Sequence, residues 1–178
     1  MRAGYIVILT LAAIFVLAGA AGFAMGSAWQ VVVSGPVAAP PREVIGYLAD
    51  FHSWRQWSVW NARKFPESGF SYRGASGSAG AEQVWKLGPT TTVWHLLEVK
   101  PNELIYWRQS NDGAVLDGHF QAESAEEGTR LTWTVSGDTG FNPYDRLIAW
   151  LYSDRVRSQL RAGLQGIQQH FDTVQSVK

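Results

Sequence analysis

Apolar residues follow three different rules along the chain. From Gly4 to Met25 they are continuous: GYIVILTLAAIFVLAGAAGFAM carries no charge, and Thr10 is its one clearly polar member. From Trp29 to Gly137 they come in short runs separated by breakers. From Leu147 to Val174 they recur every three to five residues. The first run, as a helix rising about 1.5 Å per residue, is about 33 Å long, enough to cross a hydrocarbon core of about 30 Å. A signal peptide has a shorter apolar region, about 7–15 residues, before a small-residue cleavage site, and Ala18-Gly19-Ala20 or Gly26-Ser27-Ala28 would serve as one. The uninterrupted length favours an uncleaved anchor over residues 1–27, ahead of a body over residues 28–178. A run without amphipathic period is no core helix of a soluble body.

In the body, Trp29-Gln30-Val31-Val32-Val33 is a β-branched run ended by Gly35-Pro36, so it predicts a first strand. In PPREVIGYLADF, Pro41 suits a first helical turn. Val44, Tyr47, Leu48 and Phe51 then mark one face of a helix. His52 to Trp57 predicts a second short helix, and GASGSAG (74–80) a flexible loop. Strand-like runs follow at 82–87, 90–99, 104–109, 114–123 and 129–137. They are separated by Gly88-Pro89, Pro101-Asn102, Asn111-Asp112-Gly113 and Glu126-Glu127-Gly128. Connections this short imply antiparallel hairpins, a meander. Leu131, Trp133 and Val135 alternate with Thr132, Thr134 and Ser136. Leu116, Gly118, Phe120 and Ala122 likewise oppose Asp117, His119 and Gln121, so these strands have a wet and a dry face. Asn142 as N-cap and Pro143 at the first position open a long helix. Its stripe of Leu147, Leu151, Val156, Leu160, Leu164, Ile167, Phe171 and Val174 runs about eight turns, with a break expected near Tyr152 to Asp154. The dry face of the sheet is its expected partner.

Composition sharpens this picture in three ways. Lys plus Arg equals Asp plus Glu at 15 each, so no surplus of cations exists to replace phosphate counterions, and nucleic acid is excluded as a partner. Arg2 is the single charged side chain among residues 1–41. Positive-inside logic then places the N-terminus in the cytoplasm and the body outside. Cysteine is absent, which excludes disulfides, thiolate nucleophiles, cysteine-ligated metals and a lipoprotein anchor. Nine tryptophans, eight phenylalanines and six tyrosines make large flat side chains the unusual feature.

A strand, two short helices, a meander and a long final helix is the order of the helix-grip fold, an α+β architecture of about seven antiparallel strands around one helix. Particular motifs resemble the START-like (SRPBCC) superfamily, in its polyketide cyclase/dehydrase and lipid-transport group. They are Ala39-Pro40-Pro41-Arg42-Glu43-Val44 through Leu48-Ala49-Asp50, Trp54-Arg55-Gln56-Trp57, Gly80 ahead of Trp85, and Pro101 between two strands. Gly128-Thr129-Arg130-Leu131-Thr132-Trp133 and Ala162-Gly163-Leu164 complete the series, over residues 29 to about 172. The resemblance implies a sheet curled around the helix with an apolar cavity between. It implies no particular reaction, since fold does not fix function. With the apolar run it leads to the expectation of a single-pass protein of a bacterial inner membrane, its body extracytoplasmic.

Candidate chemistry is sparse. His52, His95, His119 and His170 share no close spacing and no HExxH occurs, so no metal is expected. No other cofactor is expected either. Asp117 and His119 share a strand face, read as solvated. Ser76 and Ser78 lie in the glycine loop with no GxSxG elbow and no base, and that loop is no P-loop. Acid–base work would fall to Tyr106, Arg108, Glu82 or His95. Tyr106 and Arg108 are the polar pocket candidates. Trp85, Trp107, Phe120 and Trp133 fall on the dry face opposite Leu160 and Leu164, and these six are the candidates for the wall of an apolar pocket. Trp54, Trp57 and Trp60 would close one end of the barrel or dip into a membrane interface. Arg155, Arg157 and Arg161 read as a solvated helix face. The functional expectation is binding or carriage of a small hydrophobic ligand or lipid, with a cyclase or dehydrase as the alternative.

Overall fold

The computed structural model describes residues 2–61, 63–111 and 113–176. Asp112, among the breakers named above, lies outside them, as do Met1, Ala62 and the last two residues. Helix α1 (Arg2–Ala24) leads directly into strand β1 (Ala28–Val37). Helices α2 (Pro41–Ala49) and α3 (Trp54–Trp57) follow. Then come β2 (Gly69–Arg73), β3 (Glu82–Leu87), β4 (Thr90–Lys100), β5 (Leu104–Asn111), β6 (Ala114–Ala125), β7 (Gly128–Asp138) and the final helix α4 (Pro143–Ser176). The seven strands form one antiparallel sheet in the order β1-β7-β6-β5-β4-β3-β2, the helix-grip architecture.

The dry face is set by strict alternation. Val31 and Val33, Leu131, Trp133 and Val135, Phe120 and Ala122, Ile105 and Trp107, Trp94 and Leu96, and Trp85 all turn inward and are buried. Over this face lie α2, packed on β5, β6 and β7, and α4, packed on β1 and on α3. Gly128 opens β7 at a φ of 114°, where an L side chain is strained, and a Cβ there would run into the backbone of Val37 and Ala39. The neighbouring Thr129 hydroxyl donates to the Ala39 carbonyl at 2.6 Å, tying the start of β7 to the approach of α2.

Four elements depart from the sequence pattern. β1 runs through Gly35-Pro36 to Val37 because it is an edge strand, where a proline that cannot donate disturbs no ladder. Gly35 is needed there. A Cβ would come within 3.0 Å of Gln168 Nε2 and 3.1 Å of Leu164 Cδ2, where α4 crosses the strand. β2 has only Phe70 and Tyr72 as inward apolar residues, too short an alternation to register as a strand in the sequence. The 74–80 loop is tethered rather than free: Ser76 Oγ donates to Asp50 Oδ1 at 2.6 Å. Finally, α4 is unbroken past Tyr152, and Asn142 Oδ1 accepts from Tyr144 N–H at 3.1 Å, as its capping role requires. Its stripe is buried only in the carboxy-terminal half, at Leu160, Gly163, Leu164, Ile167 and Phe171.

Candidate functional site

Between the dry face of the sheet and α4 lies a cavity of about 120 Å³. Trp54, Trp57 and Trp60 come to it from α3 and the turn that follows. Trp94, Trp107 and Trp133 come from the sheet and Trp29 from the start of β1, so seven of the nine tryptophans line one space. Leu116, Val135, Val156 and Leu160 fill in between, and Ser58, Gln109 and Gln159 are the polar lining residues. None of the lining side chains titrates.

Rings this large fit because glycines oppose them. Trp107 pairs with Gly118 across the β5–β6 ladder, and a Cβ at 118 would overlap the indole. A Cβ at Gly163 of α4 would stand 2.7 Å from Trp133 Cζ3, and one at Gly166 would stand 2.9 Å from the Trp57 carbonyl oxygen. Trp57 meets Trp133 edge to face at 5.5 Å, and Trp54 meets Trp57 at a tilt at 5.1 Å. At such separations aromatic pairs attract beyond what their burial contributes.

Two of the indoles hold their N–H groups in place. Trp54 Nε1 donates to the Leu48 carbonyl at 2.8 Å and Trp57 Nε1 to Ser53 Oγ at 3.4 Å. Trp107 and Trp133 are different: both Nε1–H groups are buried without an acceptor, as is that of Trp85. A buried donor left unpaired costs about 1–3 kcal/mol, and among the described residues two such donors belong to side chains of the cavity wall.

Two grooves open onto the same place. One, of about 1030 Å³, runs between the ends of β1, β6 and β7 and the first turns of α4. The other, of about 490 Å³, runs between α4 and the segment joining α1 to β1. Trp29 lines both grooves and the cavity, and Leu116 lines the first groove and the cavity. These two side chains separate outside from inside. A Cβ at Gly137 would press on both, at 2.8 Å from Leu116 Cδ2 and 3.0 Å from the Trp29 ring.

The sequence-derived candidates divide accordingly. Trp107, Trp133 and Leu160 stand at the cavity wall. Trp85, Phe120 and Leu164 are buried in packed core beside it, Phe120 against Trp133 at 4.8 Å and Trp85 against Phe65 at 5.5 Å. Tyr106 and Arg108 do not face the cavity. They alternate with the inward Ile105 and Trp107, so both project from the outer face, where Tyr106 packs on His119 and Arg108 makes a two-pronged ion pair with Asp117 at 2.7 and 3.0 Å. The carboxylate partner raises the Arg108 pKa further, and burial lowers that of His119. Glu82 and His95 pair with each other at 3.2 Å on the same outer face. Trp54, Trp57 and Trp60 close the interior.

Trp29 and Trp94 are the two cavity tryptophans outside the sequence-derived set. Trp29 shares the parity of Val31 and Val33, a signal that would have found it. Trp94 lies in a strand apolar on both sides, where a register shift between Leu96 and Glu98 changes which parity faces inward.

Near α2, Asp50 Oδ1 also accepts from the His52 backbone N–H at 2.9 Å and approaches His52 Nδ1 at 2.8 Å. Burial raises the Asp50 pKa, but the hydrogen bonds from Ser76 and His52 outweigh it and the net displacement is downward. The carboxylate sits between the hydroxyl and the imidazole, so the ring cannot take the serine proton and the group acts as a tether.

A seven-stranded antiparallel sheet wrapped on one long helix, with an aromatic cavity where they meet, is the helix-grip fold. The chain belongs to the polyketide cyclase / dehydrase and lipid transport family, whose model matches residues 28–172. Solved structures of the same fold include a protein of unknown function from Staphylococcus aureus, at 10% identity and TM-score 0.65, covering 84% of this chain and 96% of that one. A protein from Mesorhizobium loti matches at 16% identity and TM-score 0.60, covering 82% and 98%. DynU16, a protein in the dynemicin biosynthetic locus, matches at 18% identity and TM-score 0.56, over 83% of this chain and 48% of its own. No curated protein matches the chain in sequence.

Proposed function

We propose that this protein is anchored in a membrane by α1 and binds or carries a small hydrophobic molecule, seating a ring or chain end in the tryptophan-lined cavity without covalent chemistry. The observation that carries the reading is the wall itself: seven indoles around about 120 Å³, two of them with buried, unpaired N–H donors. A dry cavity of about 150 Å³ takes a benzene-sized guest, so this one suits a single ring or the end of an acyl chain. The remainder of a larger ligand extends past Trp29 and Leu116 into the grooves. The donors call for an oxygen acceptor on the seated part, such as a carbonyl, ester or ether. The family's description, which joins polyketide cyclisation and dehydration with lipid transport, supports the same ligand class. The helix α1 is long and apolar enough to cross a membrane, which supports the anchor.

Native mass spectrometry of the detergent-extracted full-length protein tests both parts, through a retained small molecule and an intact amino-terminal segment. After delipidation the protein should take up a fluorescent fatty acid or sterol analogue. Trp107→Phe keeps a ring and removes the donor. It should weaken an acceptor-bearing ligand by about 1 kcal/mol, roughly fivefold, and leave a pure hydrocarbon unaffected. The absence of any retained molecule, together with no uptake of either analogue, would overturn the reading. A cyclase or dehydrase of this family would require a titratable group beside the part seated in the cavity, whose lining residues include none, whereas the carboxylates of Asp117, Asp138 and Asp145 line the outer groove.

A further inference from the structure

Helix α4 has 34 residues. At the helical rise it is about 51 Å long. The sheet buries only its second half. The first half overhangs and carries large apolar side chains in the open: Phe141 just before it is 84% exposed, Trp150 60% and Leu151 61%, with Ile148 and Tyr152 above half. A cluster of this kind on a folded body marks a contact surface. What it continues is visible in the packing. The Tyr144 ring stacks on Phe15 of α1 at 4.6 Å, and its hydroxyl donates to the Phe15 carbonyl at 3.2 Å. Phe141 meets Phe23 edge-on at 6.1 Å. At Gly22 a Cβ would overlap the Pro143 carbonyl, so the two helices touch backbone to backbone. Phe15 stands two and a half turns, about 13 Å, before the end of α1 at Ala24. The Tyr144 ring therefore reaches well into the apolar length of that helix, while the α4 backbone stays level with its last turns.

We infer that the amino-terminal half of α4, with the Phe141 turn, is a second membrane-contact element that lies in the interfacial layer of a lipid bilayer beside α1. The inference rests on the reading of α1 as a membrane anchor. Its chemistry fits that layer. Tyrosine and tryptophan are favoured there, and here Tyr144, Trp150 and Tyr152 join Ile148 and Leu151. Arg146, the one cation among residues 139–152, is satisfied internally: its guanidinium donates to the Gly140 carbonyl and to the Met25 carbonyl at 3.1 Å and rests on the Phe23 ring. Asp145 lines the open groove. Asp154, Arg155 and Arg157 follow one turn on, at the level of headgroups. Both grooves that meet at Trp29 are bounded by this half of α4, so they open at the lipid surface and an acyl chain reaches Trp29 without crossing water.

The absence of cysteine makes the test clean, because one introduced thiol is the only one. Ile148→Cys, Leu151→Cys, Gln165→Cys and Leu9→Cys would each be spin-labelled in the full-length chain, in vesicles of phosphatidylcholine and phosphatidylglycerol. Collision rates with oxygen, which concentrates in lipid, would be compared with those of a water-soluble nickel chelate. The expected result is an oxygen-to-nickel ratio at 148 and 151 several-fold above that at 165 and approaching that at 9. Labels at 148 and 151 open to nickel, with 9 in lipid, would overturn this inference and leave the anchor intact. Label 9 open to nickel would overturn both. Labels at 148 and 151 shielded from both reagents would show a protein partner or a second copy on this face, and would also overturn it.

Discussion

Gly118 and Trp107 face one another across the β5–β6 ladder, and the indole occupies the volume that a side chain at 118 would fill. Gly118→Ala should therefore cost about 1–3 kcal/mol by overpacking, measured by urea unfolding of the full-length protein in detergent. Gly163→Ala meets Trp133 at 2.7 Å. It also gains up to about 1 kcal/mol of helix propensity, so its net cost should be smaller than at 118. Asp50 gives a pH-dependent counterpart. Its carboxyl lies below the ordinary value in the folded protein, so the stability it contributes is present above about pH 4 and lost as pH falls through the folded pKa. The group is partly exposed and screened, so the effect should stay below about 1 kcal/mol. Asp50→Asn should flatten the acid limb of the unfolding midpoint plotted against pH. At this scale the sequence was legible wherever strand parity was clean, as at Leu116, Phe120 and Trp133. It was not legible at Tyr106 and Arg108, because the neighbouring strand is apolar on both sides at Val93 to Leu97, and only the pairing of β4 with β5 puts Ile105 and Trp107 inward and these two outward.

The two halves of α4 should respond differently to the same change. Leu160→Ala empties a buried position at the cavity wall beneath the sheet and should cost about 2–5 kcal/mol. Leu151 is exposed and touches no core. Leu151→Ala should therefore shift the stability of the body by less than about 0.5 kcal/mol, measured in the same urea titration. Equal costs would mean that α4 packs uniformly along its length. The unbroken stripe from Leu147 to Val174 announced a long helix but not the change of partner midway, since apolar spacing records that a face is covered and not by what. β2 escaped notice for a related reason. Its two inward rings, Phe70 and Tyr72, are too few to establish a period, and its existence depends on the β3 edge with which it pairs. The extension of β1 through Pro36 likewise follows from its place at the sheet's edge, a tertiary fact.

For the whole molecule, element order and the spacing of weak motifs were enough to reach the fold and the family, because they are properties of the chain. The cavity was not legible, since an empty volume is a small difference between large filled ones. Only the pairing of rings with glycines leaves it open. Occupancy should be measurable as linkage. If the seated ligand is held at about 100 times its dissociation constant, the folded state gains about 2.7 kcal/mol, so adding back a bound analogue should raise the urea midpoint of delipidated protein accordingly. The sheet order has a further consequence, for the timing of synthesis. β1 pairs only with β7, Ala28 with Asp138 and Val37 with Thr129, whereas every other ladder joins neighbours along the chain. The roughly 100 residues between those partners take about 5–20 s to be translated at usual rates. For that interval the first strand made has no partner, while β2 to β6 zip up hairpin by hairpin behind it. Pro36, unable to donate to a stray ladder, shortens what a neighbouring nascent chain could pair with. The last strand made is thus the one that rescues the first.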